Sequence, residues 1–518
     1  MYLVTPESMR EMDRRTIEDV GVPGSVLMDR AARGAVDALL DHFEPEPGAR
    51  IGILCGTGNN GGDGLAMATM LAHRGFEPRL VVLGTRDKLS DDAGLYFDVA
   101  QHSVDSIEIA EDDESLAEIL ANQPLCALWC DALLGTGLDR PVEGRYARAV
   151  EFLRTRSEPI MAVDIPSGLD ARTGQILGVA AKADLTATFG FAKTGQCLDP
   201  ARSYCGKIVV VDIEIPDFVR DAVGVDAWGL DEAWLRSHLP QRPRDMHKGG
   251  AGRTLHVGGR PETAGAIALS ARGALVGGAG LITVCTDRRS QPIIPTSTPE
   301  IMARGVFDFD SGTIDEDRFR AALDSADTVV IGPGLGTDEI AHKILGITLD
   351  SAPSHLIVDA DGLNLLARKD ELHTALIQLA RKSSVVLTPH PGELARLHSE
   401  DVVDILSDPI SAALRLADDT GATAVVKTAA TVVVHPDGRI AINRTGNQGM
   451  ATGGMGDALT GLVASAFADF EDPFLASASA VAVHGLAGDF AATHTGHRGL
   501  TVRRLLDEVP AVWQALRR

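Results

Sequence analysis

The hydrophobic pattern alternates between short runs rich in Val and Ile and longer Ala/Leu-rich stretches with helical spacing. Runs such as IGILCG from Ile51, PRLVVLG from Pro78 and PIMAVDIPSG from Pro159 are continuously apolar before they reach Gly or Asp. Such runs are typical of strands that are buried on both faces of a sheet. Because helical stretches separate them, the pattern favours parallel βαβ units and predicts an α/β fold.

A second series of such strands begins near Thr254 with TLHVGG and continues through LITVCT, TVVIGPG, HLIVDADG, SVVLTPH and ATAVVKT. Between the two series lies a stretch with Asp, Trp and several prolines, roughly residues 217–246. We therefore predict a first domain over residues 1–218, a linker region over 219–240 and a second domain over 241–518. A chain of 518 residues has room for two α/β domains of this size.

The composition is that of a globular protein, with 45% hydrophobic and 23% charged residues. Lys and Arg number 48 against 72 Asp and Glu, which gives a net charge of −24. This acidity argues against nucleic-acid or anionic-lipid partners, although helix N-terminal amides can still bind phosphate. We find no stretch of ~20 apolar residues and no apolar leader after the N-terminus, so we expect a cytoplasmic protein without membrane contact.

The six cysteines are sparse and lie mostly in apolar runs. Cys126 and Cys130 flank Ala-Leu-Trp in a predicted strand, where a four-residue offset does not converge on a metal ion. The pattern predicts reduced, buried thiols.

A glycine-rich segment, GTGNNGGDG from Gly56 to Gly64, follows the strand IGILC and precedes the helix LAMATMLAHRG. Its spacing matches neither the GxGxxG fingerprint nor a P-loop. Five glycines, two adjacent Asn and one Asp exceed what a tight turn requires. We therefore favour a binding site, in which backbone amides approach a phosphate group.

Oxygen-bearing side chains follow two further strands of the first series. Asp131 ends one strand, and Asp164 and Ser167 follow another. Each residue alone is better explained as a cap. Together, however, Asn60, Asp131 and Ser167 offer only hard oxygen donors, which suit an alkali or alkaline-earth ion better than zinc.

The first half resembles the N-terminal domain of NAD(P)H-hydrate epimerases. The resemblance rests on MREMDRRTIEDVGVPGSVLMDRAA, GTGNNGGDGLAMATMLAHRG, DALLGTGL, VDIPSGLDARTG and TFGFAKTG, and it extends to about Pro216. It implies a Rossmann-like three-layer domain that interconverts the R and S hydrates of NADH and NADPH. Where the family usually has MENAG, this chain has MDRAA from Met28.

The resemblance also implies roles for individual residues. Asp164 would be the acid/base residue and would contact the nicotinamide end of the substrate. Potassium would bind to Asn60, Asp131 and Ser167. The remaining substrate contacts would come from two loops, Asn59, Asn60, Gly61, Gly62 and Asp63 in the first and Gly135, Thr136, Gly137, Leu138, Asp139, Arg140 and Pro141 in the second.

In the second half, the segment TGNQGMATGGMGDALTG from Thr445 to Gly461 places a glycine loop at the start of a helix. The amides and the positive dipole end of such a helix can hold a phosphoryl group during transfer. Asp457, at the helix start, is positioned to accept a proton from the attacking hydroxyl. A simple helix cap would need one Asp but not the glycines before it, so we favour catalysis.

Other predicted strand ends carry further candidates. Glu393 or Asp361 would contact magnesium, but either is equally explained as a cap or a solvated residue. Lys427 ends the strand ATAVVK, a suitable place for contact with a nucleotide phosphate. His390 lies between two prolines, and we weigh ligand contact and a structural loop equally for it.

The second half resembles the ribokinase-like fold and, within it, the NAD(P)H-hydrate dehydratases, through HKGGAGRTLHVGG, GAGLITVCT, GPGLG, DADGLNLLA, LTPHPGELARL and the segment containing Asp457. The resemblance implies that ADP, with Mg²⁺, phosphorylates the S hydrate and that elimination of phosphate restores NAD(P)H. Asp457 would act as the base. Gly265, Gly336 and His390 would line the hydrate pocket. Lys427, Thr428, Ala429, Ala430, Thr431 and Gly456 would bind the nucleotide.

Two departures from the family occur here: KTAAT replaces a KGxGT-like turn, and Met455 replaces a usual Thr.

The alternative function is a ribokinase-like kinase for a vitamin precursor, fused to a non-catalytic binding domain. The expected ligands are the hydrates of NADH and NADPH (NADHX and NADPHX) and ADP, and we expect a homo-oligomer.

Overall fold

The computed structural model describes residues 1–516 and divides into two compact units, Tyr2–Ala227 and the part of the chain from Trp228 onward, which also includes Met1. The boundary lies within the region 219–240, which carries regular helix and strand. Both units are α/β structures with parallel sheets, and the predicted fold class is confirmed.

The first unit contains nine strands and seven helices. Its strands are β1 (Tyr2–Val4), β2 (Arg50–Cys55), β3 (Glu77–Val82), β4 (Ser106–Ile109), β5 (Leu128–Ala132), β6 (Ile160–Val163), β7 (Leu185–Phe189), β8 (Ala192–Lys193) and β9 (Lys207–Val211). Its helices are α1 (Pro6–Glu18), α2 (Gly24–Phe43), α3 (Asn59–His73), α4 (Asp91–Ala100), α5 (Asp113–Ala121), α6 (Gly144–Arg154) and α7 (Asp217–Val223).

Seven of these strands form a parallel sheet in the order β4-β3-β2-β5-β6-β7-β9. Alternate residues of β2 face opposite layers: Ile51 and Ile53 join the core formed with α2 and α3, whereas Leu54 joins the core formed with α5 and α6. Helices on both faces make three layers, as the continuously apolar strands predicted. β1 and β8 pair in parallel with each other and do not belong to this seven-stranded sheet.

The second unit contains eleven strands and thirteen helices within its described residues. The strands are β10 (Ala227–Leu230), β11 (Arg253–Val257), β12 (Leu281–Asp287), β13 (Met302–Asp308), β14 (Thr313–Ile314), β15 (Thr328–Ile331), β16 (His355–Val358), β17 (Ser384–Leu387), β18 (Thr423–Val426), β19 (Val432–Val434) and β20 (Ile440–Asn443). The helices are α8 (Glu232–His238), α9 (Ala264–Gly277), α10 (Ile293–Ser297), α11 (Glu316–Asp324), α12 (Glu339–Asp350), α13 (Asp361–Leu366), α14 (Asp370–Ala380), α15 (Pro391–His398), α16 (Val402–Ser407), α17 (Pro409–Thr420), α18 (Met455–Ala466), α19 (Pro473–Thr495) and α20 (Val502–Leu516).

The strand order of the second unit is β14-β13-β12-β11-β15-β16-β17-β18-β19-β20-β10. From β13 to β18 every pairing is parallel, while β14 and the β18-β19-β20 meander pair antiparallel. Helices α18, α19 and α20 pack together against one face of the sheet. The carboxyl ends of the parallel strands β15, β16 and β17 therefore lie at one edge, where α/β sheets bind ligands.

Helix α19 corrects one expectation from the sequence, because over its 23 residues it is long and apolar enough to cross a membrane. In the folded chain 78% of its most apolar window is buried, and the helix is part of the core of the second unit. All six cysteines are buried and form no disulfide, as predicted.

Candidate functional site

A cavity of about 620 Å³ opens at the carboxyl ends of β2, β5 and β6 in the first unit. Its size lies in the range of small-molecule and cofactor sites. The predicted substrate residues on its wall are Asn59, Asn60, Asp63, Gly135, Thr136, Gly137, Leu138, Asp139, Arg140 and Asp164. The structure thus brings together the two predicted loops and the predicted acid/base residue.

Three of the predicted substrate residues, Gly61, Gly62 and Pro141, do not line the cavity. A Cβ on Gly61 would overlap the carbonyl oxygen of Gly56, and a Cβ on Gly62 would lie 2.7 Å from the Cε atom of Met28. These two glycines therefore allow the first turn of α3 to pack closely against its neighbours. Pro141 is exposed and follows the cavity-lining Arg140.

Asp164 follows β6 in a left-handed backbone conformation, with φ 64°. Its Oδ1 accepts hydrogen bonds from Lys193 Nζ at 2.5 Å, Thr188 Oγ1 at 3.1 Å and the Phe189 amide at 3.1 Å. Lys193 is buried and also donates to Thr188 Oγ1 and the Phe189 carbonyl. A side chain in this strained conformation, held by three donors, is fixed in one orientation toward the cavity.

The predicted cation ligands are arranged around a buried carboxylate. Asp131 accepts from Ser167 through both its amide (2.7 Å) and its Oγ (2.6 Å), and from the Leu133 amide (3.3 Å). Burial raises the pKa of Asp131 to about 6, and the hydrogen bonds partly oppose this rise. In the cavity wall, Asn60 has buried Oδ1 and Nδ2 atoms, neither of which has a hydrogen-bond partner within residues 1–516.

Two further carboxyls on the cavity wall have a raised pKa. Burial raises the pKa of Asp13 to about 7, and the charge of Asp164 adds to the rise, while Lys193 opposes it. Burial also raises the pKa of Asp63 well above its usual range, helped by Asp164 and Asp13. Both residues line the cavity.

In the second unit, Asp457 lies in the first turn of α18, three residues after the N-cap Gly454, whose φ is 92°. A residue with a side chain is strained in that left-handed region, so glycine suits the cap position. Burial raises the pKa of Asp457 to about 7, with Asp359 adding to the rise and Lys427 opposing it. A carboxyl with this pKa can take up a proton near neutral pH, at a helix end whose free amides favour anions.

Lys427 reaches Asp359 at the end of β16, with 2.5 Å between Nζ and Oδ1. The other carboxylate oxygen of Asp359 accepts from Thr460 Oγ1 of α18 at 2.6 Å. Asp359 is buried, and Glu393 Oε2 lies 4.0 Å from the same ammonium group. This network connects β16, the end of β18 and the helix that carries Asp457.

His390 is the N-cap of α15, and its Nδ1 accepts from the amides of Gly392 (3.0 Å) and Glu393 (3.3 Å). Glu393 completes a capping box by accepting from the His390 amide at 2.8 Å. Because Nδ1 accepts, Nε2 carries the proton of the neutral ring, 3.3 Å from Glu393 Oε1. About half of the His390 side chain remains exposed and available to a ligand.

The other predicted residues of this unit lie in the same group of loops. Asp361 Oδ2 accepts from the Gly336 amide at 2.8 Å, which fixes the loop after β15. Gly265 lies in the first turn of α9, with open space where a Cβ would point. A Cβ on Gly456 would lie 3.3 Å from Lys427 Nζ. Residues 428–431 form the turn between β18 and β19, where Thr431 Oγ1 donates to the Thr428 carbonyl.

The sequence interpretation missed Asp13 and Lys193 in the first unit and the roles of Asp359 and Thr460 in the second. Lys193 gave a usable signal, because it is a lysine within an apolar run that follows a strand. Asp13 gave none, since the charged residues around it are typical of a solvated helix face. No group of three or more His, Cys, Asp and Glu in the described part of the chain is arranged to hold a metal ion.

Two family models match the chain. Residues 24–195 match the YjeF-related protein N-terminus, and residues 254–511 match NAD(P)H-hydrate dehydratase. A solved dehydratase from Bacillus subtilis, described as ADP/ATP-dependent and co-crystallized with ATP and Mg²⁺, aligns with 56% of this chain and 99% of its own at 28% identity, with a TM-score of 0.48.

Full-length relatives carry the same two parts. The bifunctional NAD(P)H-hydrate repair enzyme Nnr of Moorella thermoacetica is 36% identical over 100% of this chain and 97% of its own length. The enzymes of the same name from Thermofilum pendens and Escherichia coli are each 34% identical, over 100% and 98% of this chain and 97% and 93% of their own. These matches do not favour the alternative of a kinase fused to a binding domain. The chain belongs to the family of bifunctional NAD(P)H-hydrate repair enzymes.

Proposed function

We propose that the first unit epimerises the R and S hydrates of NADH and NADPH, and that the second unit dehydrates the S hydrate with ADP, giving AMP and phosphate. The observation that carries this proposal is the position of Asp457, a carboxyl with a pKa of about 7 at the N-terminus of α18 and beside the Lys427–Asp359 pair. Such a group, next to amides that bind anions, suits phosphoryl transfer to a hydroxyl.

In the dehydratase reaction, ionised Asp457 accepts the proton of the hydrate's hydroxyl while the oxygen attacks the terminal phosphorus of ADP. The bond from that phosphorus to the bridging oxygen breaks, and AMP leaves. Free amides at the start of α18 stabilise the charge on the transferred group. In the second step the neighbouring ring carbon loses a proton to solvent, the carbon–oxygen bond breaks, phosphate leaves, and the ring double bond is restored.

Within this site, Gly265, Gly336 and His390 would contact the hydrate, and the turn 428–431 with Gly456 and Lys427 would contact the nucleotide. Magnesium would enter with the nucleotide, because Mg²⁺ keeps most of its waters and needs only one or two carboxylates. Asp361 and Glu393 are the candidates, but each already accepts a backbone hydrogen bond, from Gly336 and His390 respectively.

In the epimerase reaction, Asp164 would act as the acid/base residue at the nicotinamide end of the cavity. The loops around Asn59–Asp63 and Gly135–Pro141 would hold the rest of the dinucleotide. Lys193 and Thr188 orient the Asp164 carboxylate and leave its second oxygen free of protein hydrogen bonds in the part of the chain described. A fixed carboxylate that faces a cavity can move a proton to or from a bound hydroxyl.

The residues proposed for potassium fit that ion. Asn60 Oδ1 is buried and unpartnered within residues 1–516, and the buried Asp131 carboxylate has hydrogen bonds but no cationic side chain recorded beside it. Potassium bound there would supply the missing positive charge and would hold the loops that carry Asn60 and Ser167. The residues act by fixing the cavity wall rather than by touching the reacting atoms.

The proposal is tested by recovery of dihydronicotinamide absorbance from an epimeric mixture of NADH hydrate, with Mg²⁺ and K⁺ and with ADP, ATP or no nucleotide. Full recovery with ADP is expected. Recovery that stops when the S epimer is consumed would refute the epimerase half. Absence of recovery with either nucleotide would refute the dehydratase half.

We also propose that the protein is cytoplasmic and that it assembles as a homo-oligomer.

A further inference from the structure

Helix α1 brings a second carboxyl, Asp13, to the cavity that contains Asp164. The acidic residues around it on α1 have cationic partners: Glu7 pairs with Arg10, and Glu11 and Glu18 pair with Arg14. Asp13 differs from them because its Oδ1 is buried and has no hydrogen-bond partner in the described structure.

An unpartnered buried carboxyl costs folding free energy, and an apolar residue would be cheaper at this position on a helix that already buries Met9 and Met12. The nearby lysine does not remove this cost. The three N–H groups of Lys193 donate to Asp164, Thr188 and Phe189. Asp13 Oδ1 is therefore a buried polar atom of a cavity-lining residue with no hydrogen-bond partner in residues 1–516, as expected where the partner is the substrate.

The two carboxyls also differ in their surroundings. Asp164 accepts three hydrogen bonds at one oxygen, an arrangement for an ionised carboxylate, which only accepts. Burial raises the pKa of Asp13 to about 7, so that it holds a proton through mildly acidic pH. Asp164 therefore offers the cavity a proton acceptor, and Asp13 offers it a proton donor.

We propose that Asp13 is a second catalytic residue of the epimerase cavity and works with Asp164 as an acid–base pair; this rests on the epimerase function proposed above. Asp164 removes the hydroxyl proton of the hydrate, the carbon–oxygen double bond forms, and the bond from that carbon to the ring nitrogen breaks. The nitrogen takes the proton of Asp13. After rotation of the aldehyde group, the nitrogen adds to its other face and returns its proton to Asp13, while Asp164 gives the hydroxyl proton back to the oxygen.

Both carboxyls regain their starting state, so the cycle consumes no other reactant. General acid–base assistance of this kind contributes about 100-fold to 10,000-fold to a rate. Asp13→Asn keeps the size of the side chain but removes the transferable proton. We expect it to lower kcat for epimerisation at least about 100-fold, with a much smaller change in KM.

The test follows the interconversion of the pure R hydrate to the S hydrate by chromatography, using the full chain without nucleotide. Glu11→Gln is the matched control, because Glu11 lies on the same helix and pairs with Arg14 and Arg15 at the surface. It should epimerise at the wild-type rate. Thermal unfolding of the Asp13→Asn chain, compared with that of Glu11→Gln, reports whether the first unit remains folded.

A second readout is the pH profile of epimerisation by the wild-type chain. The charged groups that act on the pKa of Asp13 are Lys193 and Asp164; the others on the cavity wall are Arg10, Asp63, Asp92, Asp139 and Arg140. If Asp13 must carry a proton, kcat for epimerisation falls as the pH rises above about 7, and Asp13→Asn removes that limb of the profile.

The inference is overturned if Asp13→Asn epimerises within about threefold of wild type, or if the wild-type kcat is flat from about pH 6 to about pH 8.5. If instead the wild-type chain does not interconvert the hydrates at all, the proposed epimerase function fails, and the role of Asp13 fails with it. Loss of epimerisation in Asp164→Asn with full activity in Asp13→Asn would leave the function standing and reject Asp13.

Discussion

Lys427 and Asp359 form a buried ion pair, with 2.5 Å between Nζ and Oδ1, next to the helix turn that carries Asp457. The second oxygen of Asp359 accepts from Thr460, one helical turn beyond Asp457. The lysine opposes the rise in the pKa of Asp457, whereas Asp359 promotes it. The charge balance of this network therefore sets the proton affinity of the proposed base.

Asp359→Asn is expected to weaken both stability and dehydration. The substitution leaves the Lys427 ammonium buried without its closest carboxylate, and breaking a buried pair costs about 3–5 kcal/mol. Thr460→Val is the control, because it keeps the ion pair and removes the hydroxyl that donates to Asp359, a hydrogen bond to a carboxylate worth about 1.5–3 kcal/mol. Thermal unfolding and dehydration rates measured for both variants check this; equal effects of the two would contradict a dominant role of the ion pair.

The rate of dehydration is expected to fall as the solution becomes acidic. Asp457 must be ionised to accept a proton, and burial raises its pKa to about 7. The ionised fraction therefore decreases about tenfold for each pH unit below 7, and kcat should follow it. A kcat that stays constant down to about pH 5 would show that this carboxyl is not the base.

Asp131→Asn is expected to reduce the potassium dependence of epimerisation. Burial raises the folded-state pKa of Asp131 to about 6, above its usual 3.8. The folded protein therefore favours the protonated carboxyl, and ionisation of Asp131 lowers the free energy of unfolding. The contribution of protonated Asp131 to the free energy of unfolding is fully present below about pH 4 and is lost as the pH rises through 6. Potassium should offset that loss.

The stabilisation by potassium should consequently be larger at pH 8 than at pH 5 in the wild-type chain and should be small in Asp131→Asn. The melting temperature in potassium chloride, compared with that in choline chloride, measures it. Asp113→Asn, at the exposed first turn of α5, is the matched control and should retain the full effect. Equal stabilisation of the wild-type chain at both pH values would contradict a site at Asp131.

The hydrophobic pattern was sufficient to predict the fold class, because strands buried on both faces, such as β2 and β16, leave a continuous apolar signal. The pattern could also place Asp164 and Asp457 at strand and helix ends. It could not indicate which side chains these residues meet. Lys193 reaches Asp164 from a different strand, and Lys427 meets Asp359 from a position 68 residues away in the chain.

Asp13 is a second residue whose contacts the sequence pattern could not indicate. In MREMDRRTIE it is one acidic residue among several charged ones, and helical periodicity alone does not separate it from Glu11. Only the packing of α1 turns one of the two toward the cavity and leaves the other at the surface. Burial without a partner depends on tertiary contacts, which the local sequence does not encode.

The most direct measurement is the fate of an epimeric hydrate mixture with the Asp457→Asn chain, ADP, Mg²⁺ and K⁺. Asp418→Asn, at an exposed position of α17, is the matched control and should behave as wild type. We expect Asp457→Asn to recover no dihydronicotinamide absorbance, while chromatography shows R and S hydrates interconverting at the wild-type rate. Substantial recovery of absorbance, or loss of epimerisation together with dehydration, would contradict separate activities in the two units with Asp457 as the dehydratase base.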